Sequence, residues 1–152
     1  MSELRDLYQE VILDHVKRPR NFGSMAAASH QAVGHNPLCG DKVTVFLTIA
    51  GSQIADARFE GAGCAISMAS ASLMTEAIKG RDEAEVRAMF QRFHAGLTAT
   101  DEVAAISALA DLDKLAVFSG VREFPVRVKC ATLPWHTLIA ALDRVREPVK
   151  TE

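Results

Sequence analysis

Two neighbouring segments, residues 42–50 and 53–60, constrain the fold of this chain most. In each segment apolar and polar residues alternate, which is typical of a strand with one buried face and one wet face. Gly51 and Ser52 lie between them and indicate a turn. The two segments are therefore predicted to form an antiparallel hairpin, and its apolar face must be covered by other elements.

Helical patterns of apolar residues precede and follow the hairpin. They predict helices over residues 3–17, 66–79, 82–94, 101–112 and about 132–146. Residues 20–38 and 115–128 are predicted to be long connections, and a third strand is expected briefly at Cys64. This order predicts one α+β domain, residues 1–152, with a small three-stranded antiparallel sheet and helices packed on one face.

Composition excludes several classes of function. The net charge is -2, the basic residues are spread out and aromatic residues are few, so no nucleic-acid partner is expected. No apolar run approaches the roughly 20 residues that span a bilayer, so no membrane association is expected. The first six residues are acidic and helical in pattern, unlike a signal peptide, which predicts a cytoplasmic protein.

The chain has three cysteines, Cys39, Cys64 and Cys130, and Asp41 follows the first at a spacing of two. Three thiolates and a carboxylate can complete a tetrahedral shell for a soft divalent metal. The hairpin brings Cys64 back toward Cys39, because the start of one antiparallel strand lies near the end of the next. Cys64 and Cys130 are each expected just before a helix start, where unpaired amides favour the thiolate.

Other interpretations of these residues remain open at this point. A cysteine is often only a small buried apolar residue, and an odd cysteine count without a C-x-x-C motif is a moderate metal signal. His35 is a less favoured ligand candidate. Arg127, Lys129 and Lys42 are candidates to balance the negative charge of the ligands.

The remaining histidines are predicted to have ordinary roles. His15 lies on the apolar side of the first helix and is predicted to be a packed or rim residue. His94 is predicted to lie at the surface, and His136, in the last helix, to be structural. Pro134 is expected in the first turn of that last helix, where proline is tolerated.

Several motifs resemble those of the IscU/SufU family of iron–sulfur cluster biogenesis proteins. They include Asn-Pro-Leu-Cys-Gly-Asp at 36–41, Gly-Ala-Gly-Cys-Ala-Ile-Ser at 61–67 and the stretch 120–133, and further matching segments lie at 7–15, 19–21 and 70–75. Lys129 stands where IscU-type scaffolds carry a histidine, and the segment between the second and third cysteines is longer. Both features resemble the SufU branch of the family.

The resemblance implies the SufE/NifU/IscU-like fold and a zinc-dependent sulfurtransferase. It implies Cys39, Asp41, Cys64 and Cys130 as zinc ligands, Cys39 as the sulfur acceptor, and Arg127 as an arginine near the site. The implied partners are a SufS-type cysteine desulfurase, which would supply persulfide sulfur and be activated, and downstream Suf cluster-assembly proteins. The alternative is a scaffold that assembles a transient [2Fe–2S] cluster on the same cysteines.

Overall fold

The computed structural model describes the backbone of residues 2–150 and the side chains from residue 6 onward. Met1, Thr151 and Glu152, at the ends of the predicted domain range, lie outside the described residues. The helices are α1 (Ser2–Lys17), α2 (Ala65–Ile78), α3 (Glu83–Thr98), α4 (Glu102–Leu109) and α5 (Pro125–Leu142), with a 3-10 segment at Asp113–Glu123. The strands are β1 (His30–Asn36), β2 (Asp41–Ala50), β3 (Gln53–Ala62) and β4 (Val149–Lys150).

The four strands form one sheet in the order β3-β2-β1-β4. The predicted hairpin is confirmed, because β2 pairs antiparallel with β3. β1 pairs antiparallel with β2 on its other side, and β4 pairs parallel with β1. The α+β class is therefore confirmed, with four strands instead of three.

The third strand lies at β1 and not at Cys64, so the predicted connection 20–38 contains a strand. Its inward positions are Ala32, Gly34 and Asn36, which are small or polar, and its hydrophobic alternation is therefore weak. Gly34 is required there because a side chain would collide with Thr137 of α5. The close approach of α5 to β1 explains why a strand with so few apolar residues forms.

The core lies between the sheet and the helices. Val43, Val45 and Leu47 of β2 are fully buried, as the alternation predicts. Helix α5 contacts β1 and β2, and α2 contacts β3 and α5. Trp135 of α5 stacks on Phe93 of α3 at 5.1 Å between ring centroids, which joins α3 to the same core.

Helix α5 begins earlier than predicted, at Pro125 instead of about residue 132. Proline at the first helical position needs no N–H partner and already has a helical φ, so Pro125 opens the helix where the sequence pattern suggested a loop. Cys130 consequently lies in the second turn of α5, not before its start. Pro134 is likewise inside the helix, not in its first turn.

Within residues 2–150, no helix is both long enough and apolar enough to cross a membrane.

Candidate metal centre

Cys39 lies in the tight turn between β1 and β2. Asn36 pairs with Asp41 across the turn, the Cys39 amide donates to the Asn36 carbonyl at 3.3 Å, and the Leu38 amide donates to Asn36 Oδ1 at 3.3 Å. Gly40 has a φ of 70°, in the left-handed region that glycine adopts without strain. The turn leaves Leu38 exposed and Cys39 half-buried, so Cys39 is partly accessible to solvent.

Asp41 opens β2 and is fully buried. Its Oδ1 accepts a hydrogen bond from the Cys64 amide at 2.8 Å, and its Oδ2 lies 3.8 Å from the Cys64 sulfur. Cys64 is the N-cap residue of α2, as predicted. A Cβ on Gly63 would collide with the Asp41 carboxylate and lie 2.8 Å from Ser67 Oγ, so this approach requires glycine.

Cys130 reaches the same place from α5. Its sulfur is fully buried, lies 3.3 Å from the Cys39 sulfur and accepts from Asn36 Nδ2 at 3.7 Å. One ligand atom from each of Cys39, Asp41 and Cys130 lies within 4.8 Å of the other two. Cys64 flanks this group through its contact with Asp41, and His35 does not belong to the group among the residues that the structure describes.

One backbone hydrogen bond of α5 is missing at Cys130, although the helix continues. Pro134 has no N–H, so the Cys130 carbonyl loses its usual helical hydrogen bond. The next carbonyl, that of Ala131, accepts a hydrogen bond from Ser70 Oγ at 2.6 Å, and both residues are buried. Ser70 thereby ties α2 to α5 beside the turn that carries Cys130.

Charge at the site is set by burial and by one arginine. Burial raises the pKa of the Cys130 thiol, and hydrogen bonds with Cys39, Asp41 and Cys64 add to this. The Arg127 guanidinium lies beside Cys64 and Cys130, and the negative charge that Cys64 and then Cys130 carry when deprotonated raises the pKa of Arg127. Of the predicted charge-balancing candidates, Arg127 is thus placed at the sulfurs. Lys129 also lines a cavity on α5.

The group of Cys39, Asp41 and Cys130 fits three positions of a tetrahedral zinc site, and Cys64 lies outside that group. With Zn–S bonds of about 2.3 Å and Zn–O bonds of about 2.1 Å, a tetrahedron places two sulfurs about 3.8 Å apart and a sulfur and an oxygen about 3.6 Å apart. The Cys39–Cys130 sulfur separation is 3.3 Å and the Cys64 sulfur lies 3.8 Å from Asp41 Oδ2, so each distance is within about half an ångström of the tetrahedral value. Burial of Cys130 and Asp41 fits the closed inner side of such a site.

Two polar neighbours of the site were not predicted as site residues. Asn36 contacts the Cys130 sulfur. The feature that could have indicated it is a polar amide side chain at an inward position of a strand. Ser67 lies 3.9 Å from the Cys64 sulfur and donates to the Cys64 carbonyl at 3.1 Å. The feature that could have indicated Ser67 is a hydroxyl side chain three residues after the N-cap residue of α2.

Comparison with known proteins identifies one family and several relatives of this chain. The family model for the NifU-like N-terminal domain matches residues 7–131. The chain is 41% identical to the zinc-dependent sulfurtransferase SufU of Bacillus subtilis (strain 168), over 90% of each chain. It is 34% identical to the iron–sulfur cluster assembly scaffold protein IscU of Streptococcus pyogenes serotype M1, over 95% of this chain and 87% of that protein.

Solved structures give the same relationship. The chain superposes with a TM-score of 0.78 and 36% identity on an iron–sulfur cluster assembly scaffold protein for the SUF system, FiSufU from Fervidobacterium islandicum AW-1. The match covers 88% of this chain and 94% of that one. A NifU-like protein from Brucella abortus, at 24% identity and a TM-score of 0.77, shares the fold.

Proposed function

The chain belongs to the NifU-like N-terminal domain family, and on that premise we propose that it is a zinc-dependent sulfurtransferase for iron–sulfur cluster biogenesis. It would accept persulfide sulfur from a SufS-type cysteine desulfurase and pass it to downstream Suf cluster-assembly proteins. The observation that carries the proposal is a half-buried thiol, Cys39, in contact with a buried thiol, Cys130, beside a buried carboxylate. The name of the Bacillus relative supports both the metal and the reaction.

Cys39, Asp41, Cys64 and Cys130 are the proposed zinc ligands. The ion would keep the thiols deprotonated at neutral pH and join three parts of the fold. These parts are the β1–β2 turn, the start of α2 and the second turn of α5. Asn36 and the amide hydrogen bond from Cys64 to Asp41 hold the ligands in position, and such supporting contacts typically change metal affinity or activity about 10- to 100-fold.

Cys39 is the proposed sulfur acceptor because its turn is accessible, whereas Cys130 is fully buried. The Cys39 thiolate attacks the outer sulfur of the persulfide on the desulfurase cysteine. A new S–S bond forms at Cys39 as the old one breaks, and the desulfurase cysteine leaves as a thiolate. Arg127 is proposed to stabilise the thiolate of Cys39 when it attacks, because its guanidinium already lies at the neighbouring sulfurs.

The test is desulfurase turnover on cysteine with and without this chain, together with zinc content and intact mass. We expect faster turnover and the added mass of one sulfur on the wild-type chain, and neither with Cys39→Ser. Far-UV circular dichroism shows whether the variant keeps its fold. Added sulfur on Cys39→Ser under the same conditions would contradict the assignment of Cys39.

A second candidate is a scaffold that assembles a [2Fe–2S] cluster on the same cysteines. Identity of 34% to a scaffold protein over 95% of the chain favours it, and three thiolates suit iron–sulfur clusters as well as zinc. Anaerobic reconstitution followed by absorption spectroscopy separates the two functions. A stable cluster chromophore, with no rise in desulfurase turnover, would favour the scaffold.

A further inference from the structure

A cavity lies between the end of α3, the 3-10 segment, α5 and β4. Its volume is about 770 Å³, within the range of roughly 300–1,000 Å³ of small-molecule sites. On α5 it is lined by residues spaced three or four apart, Pro125, Val128, Thr132 and His136, together with Lys129. None of the four proposed zinc ligands lines it, so it is separate from the metal centre.

The cavity reverses the charge balance of the chain. Its lining has three cationic side chains, those of Arg122, Lys129 and Lys150, and two histidines, His94 and His136, against one acidic side chain, that of Glu123. The whole chain has 17 lysines and arginines against 19 acidic residues. The cavity therefore concentrates positive potential on a protein that is slightly acidic overall.

Contacts fix three of these groups at the wall. The His94 and His136 rings are nearly perpendicular, with centroids 5.5 Å apart, and Phe90 packs edge-on against His136 at 5.1 Å. Arg122 donates from Nη2 and Nε to the Ala99 carbonyl at 3.2 and 3.4 Å. That bond orients the guanidinium and leaves Nη1 uncommitted among the described residues.

We propose that this cavity binds a small molecule through a doubly charged phosphate-type group. An arginine held at its edge, lysines and imidazoles provide the donors that bind such oxyanions. Burial, and then the nearby His94, lowers the pKa of His136, which favours a neutral ring that donates a single N–H.

The test is a titration of the zinc-loaded protein with inorganic phosphate at low ionic strength, followed through the histidine ring signals by NMR. We expect saturable shifts of His94 and His136, and about tenfold weaker affinity in the double variant His94→Gln/Lys150→Gln. The matched control is Arg146→Gln, which removes a cation outside this cavity and should bind phosphate as the wild type does.

Three outcomes would overturn the proposal. These are shifts that do not saturate, equal affinity in the wild type and the double variant, and saturation by succinate but not by phosphate. Single variants His94→Gln and Lys150→Gln keep the test valid if the double variant unfolds. Zinc content is measured before and after each titration, which separates this site from the metal centre.

Discussion

The sulfur atoms of Cys39 and Cys130 lie 3.3 Å apart, although 91 residues separate them in the chain. One belongs to a surface turn and the other to the buried side of a helix. Two thiols in contact can form a disulfide with a small movement, because an S–S bond is about 2.05 Å long. A metal ion bound between them would prevent this by occupying both sulfurs.

The first prediction follows from this contact. Treating the protein with a chelator and then with the oxidant diamide should form a Cys39–Cys130 disulfide, whereas the zinc-loaded protein should resist oxidation. Peptide mapping without reduction identifies the pair, and Cys130→Ser is the variant that should lose it. Preferential pairing of Cys64 with either partner would contradict the assigned arrangement.

The second prediction concerns Gly63. The Gly63→Ala side chain would collide with the Asp41 carboxylate, which also accepts from the Cys64 amide. We expect zinc affinity to fall about 10- to 100-fold, as for other supporting contacts of metal ligands. Competition with a chromophoric chelator measures this.

Gly120→Ala is the matched control for Gly63→Ala. No atom lies within 4 Å of a Cβ built on Gly120, and its φ is not in the left-handed region. This control should retain the wild-type zinc affinity. Equal loss of zinc in both variants would indicate a general effect on stability instead of displacement of Asp41.

The sequence predicted the elements whose hydrophobic pattern matches their burial. The hairpin was found because Val43, Val45 and Leu47 alternate with polar residues and all face the core. β1 was missed because close packing of α5 on Gly34, which only the folded chain reveals, replaces apolar burial there. In α4, Val103 and Ile106 fit the predicted apolar stripe, yet both are exposed.

The candidate site likewise has parts that the sequence predicted and parts that depend on the folded chain. The spacing of Cys39 and Asp41, and the return of the hairpin to Cys64, follow from strand pairing and could be predicted. The place of Cys130 depends on where α5 begins, and Pro125 was interpreted as part of a connection. Contacts such as that of Asn36 with Cys130 join residues 94 apart and require the tertiary fold.

The third prediction concerns pH and the docking of α1. His15 is 2% exposed, and its Nδ1 lies 2.7 Å from Ser72 Oγ, which also accepts from the Arg20 amide at 2.9 Å. Burial, and then the charge of Arg20, lowers the pKa of His15 in spite of Glu76 at 3.6 Å. The folded state therefore binds a proton at His15 less readily than the unfolded state does.

Stability should accordingly be highest above the ordinary histidine pKa of about 6.5 and fall as the pH drops below it. Urea unfolding of wild type and His15→Gln at about pH 7.5 and about pH 5.5 measures the effect. We expect the wild type to lose more stability than His15→Gln between these two values. An equal loss in the two proteins would show that His15 does not carry this dependence.

The fourth prediction concerns Arg127, which is exposed and whose guanidinium lies beside Cys64 and Cys130. Arg127→Ala should keep the fold and the zinc, because its side chain is not a metal ligand. Sulfur transfer should slow about 10- to 100-fold, since the charge that stabilises the attacking thiolate is lost. Arg127→Lys should recover part of the rate, because an ammonium restores the charge without the planar fork.

Zinc content, persulfide formation measured over time, and desulfurase turnover together decide the outcome. Loss of zinc from purified Arg127→Ala would instead make this arginine a structural part of the site.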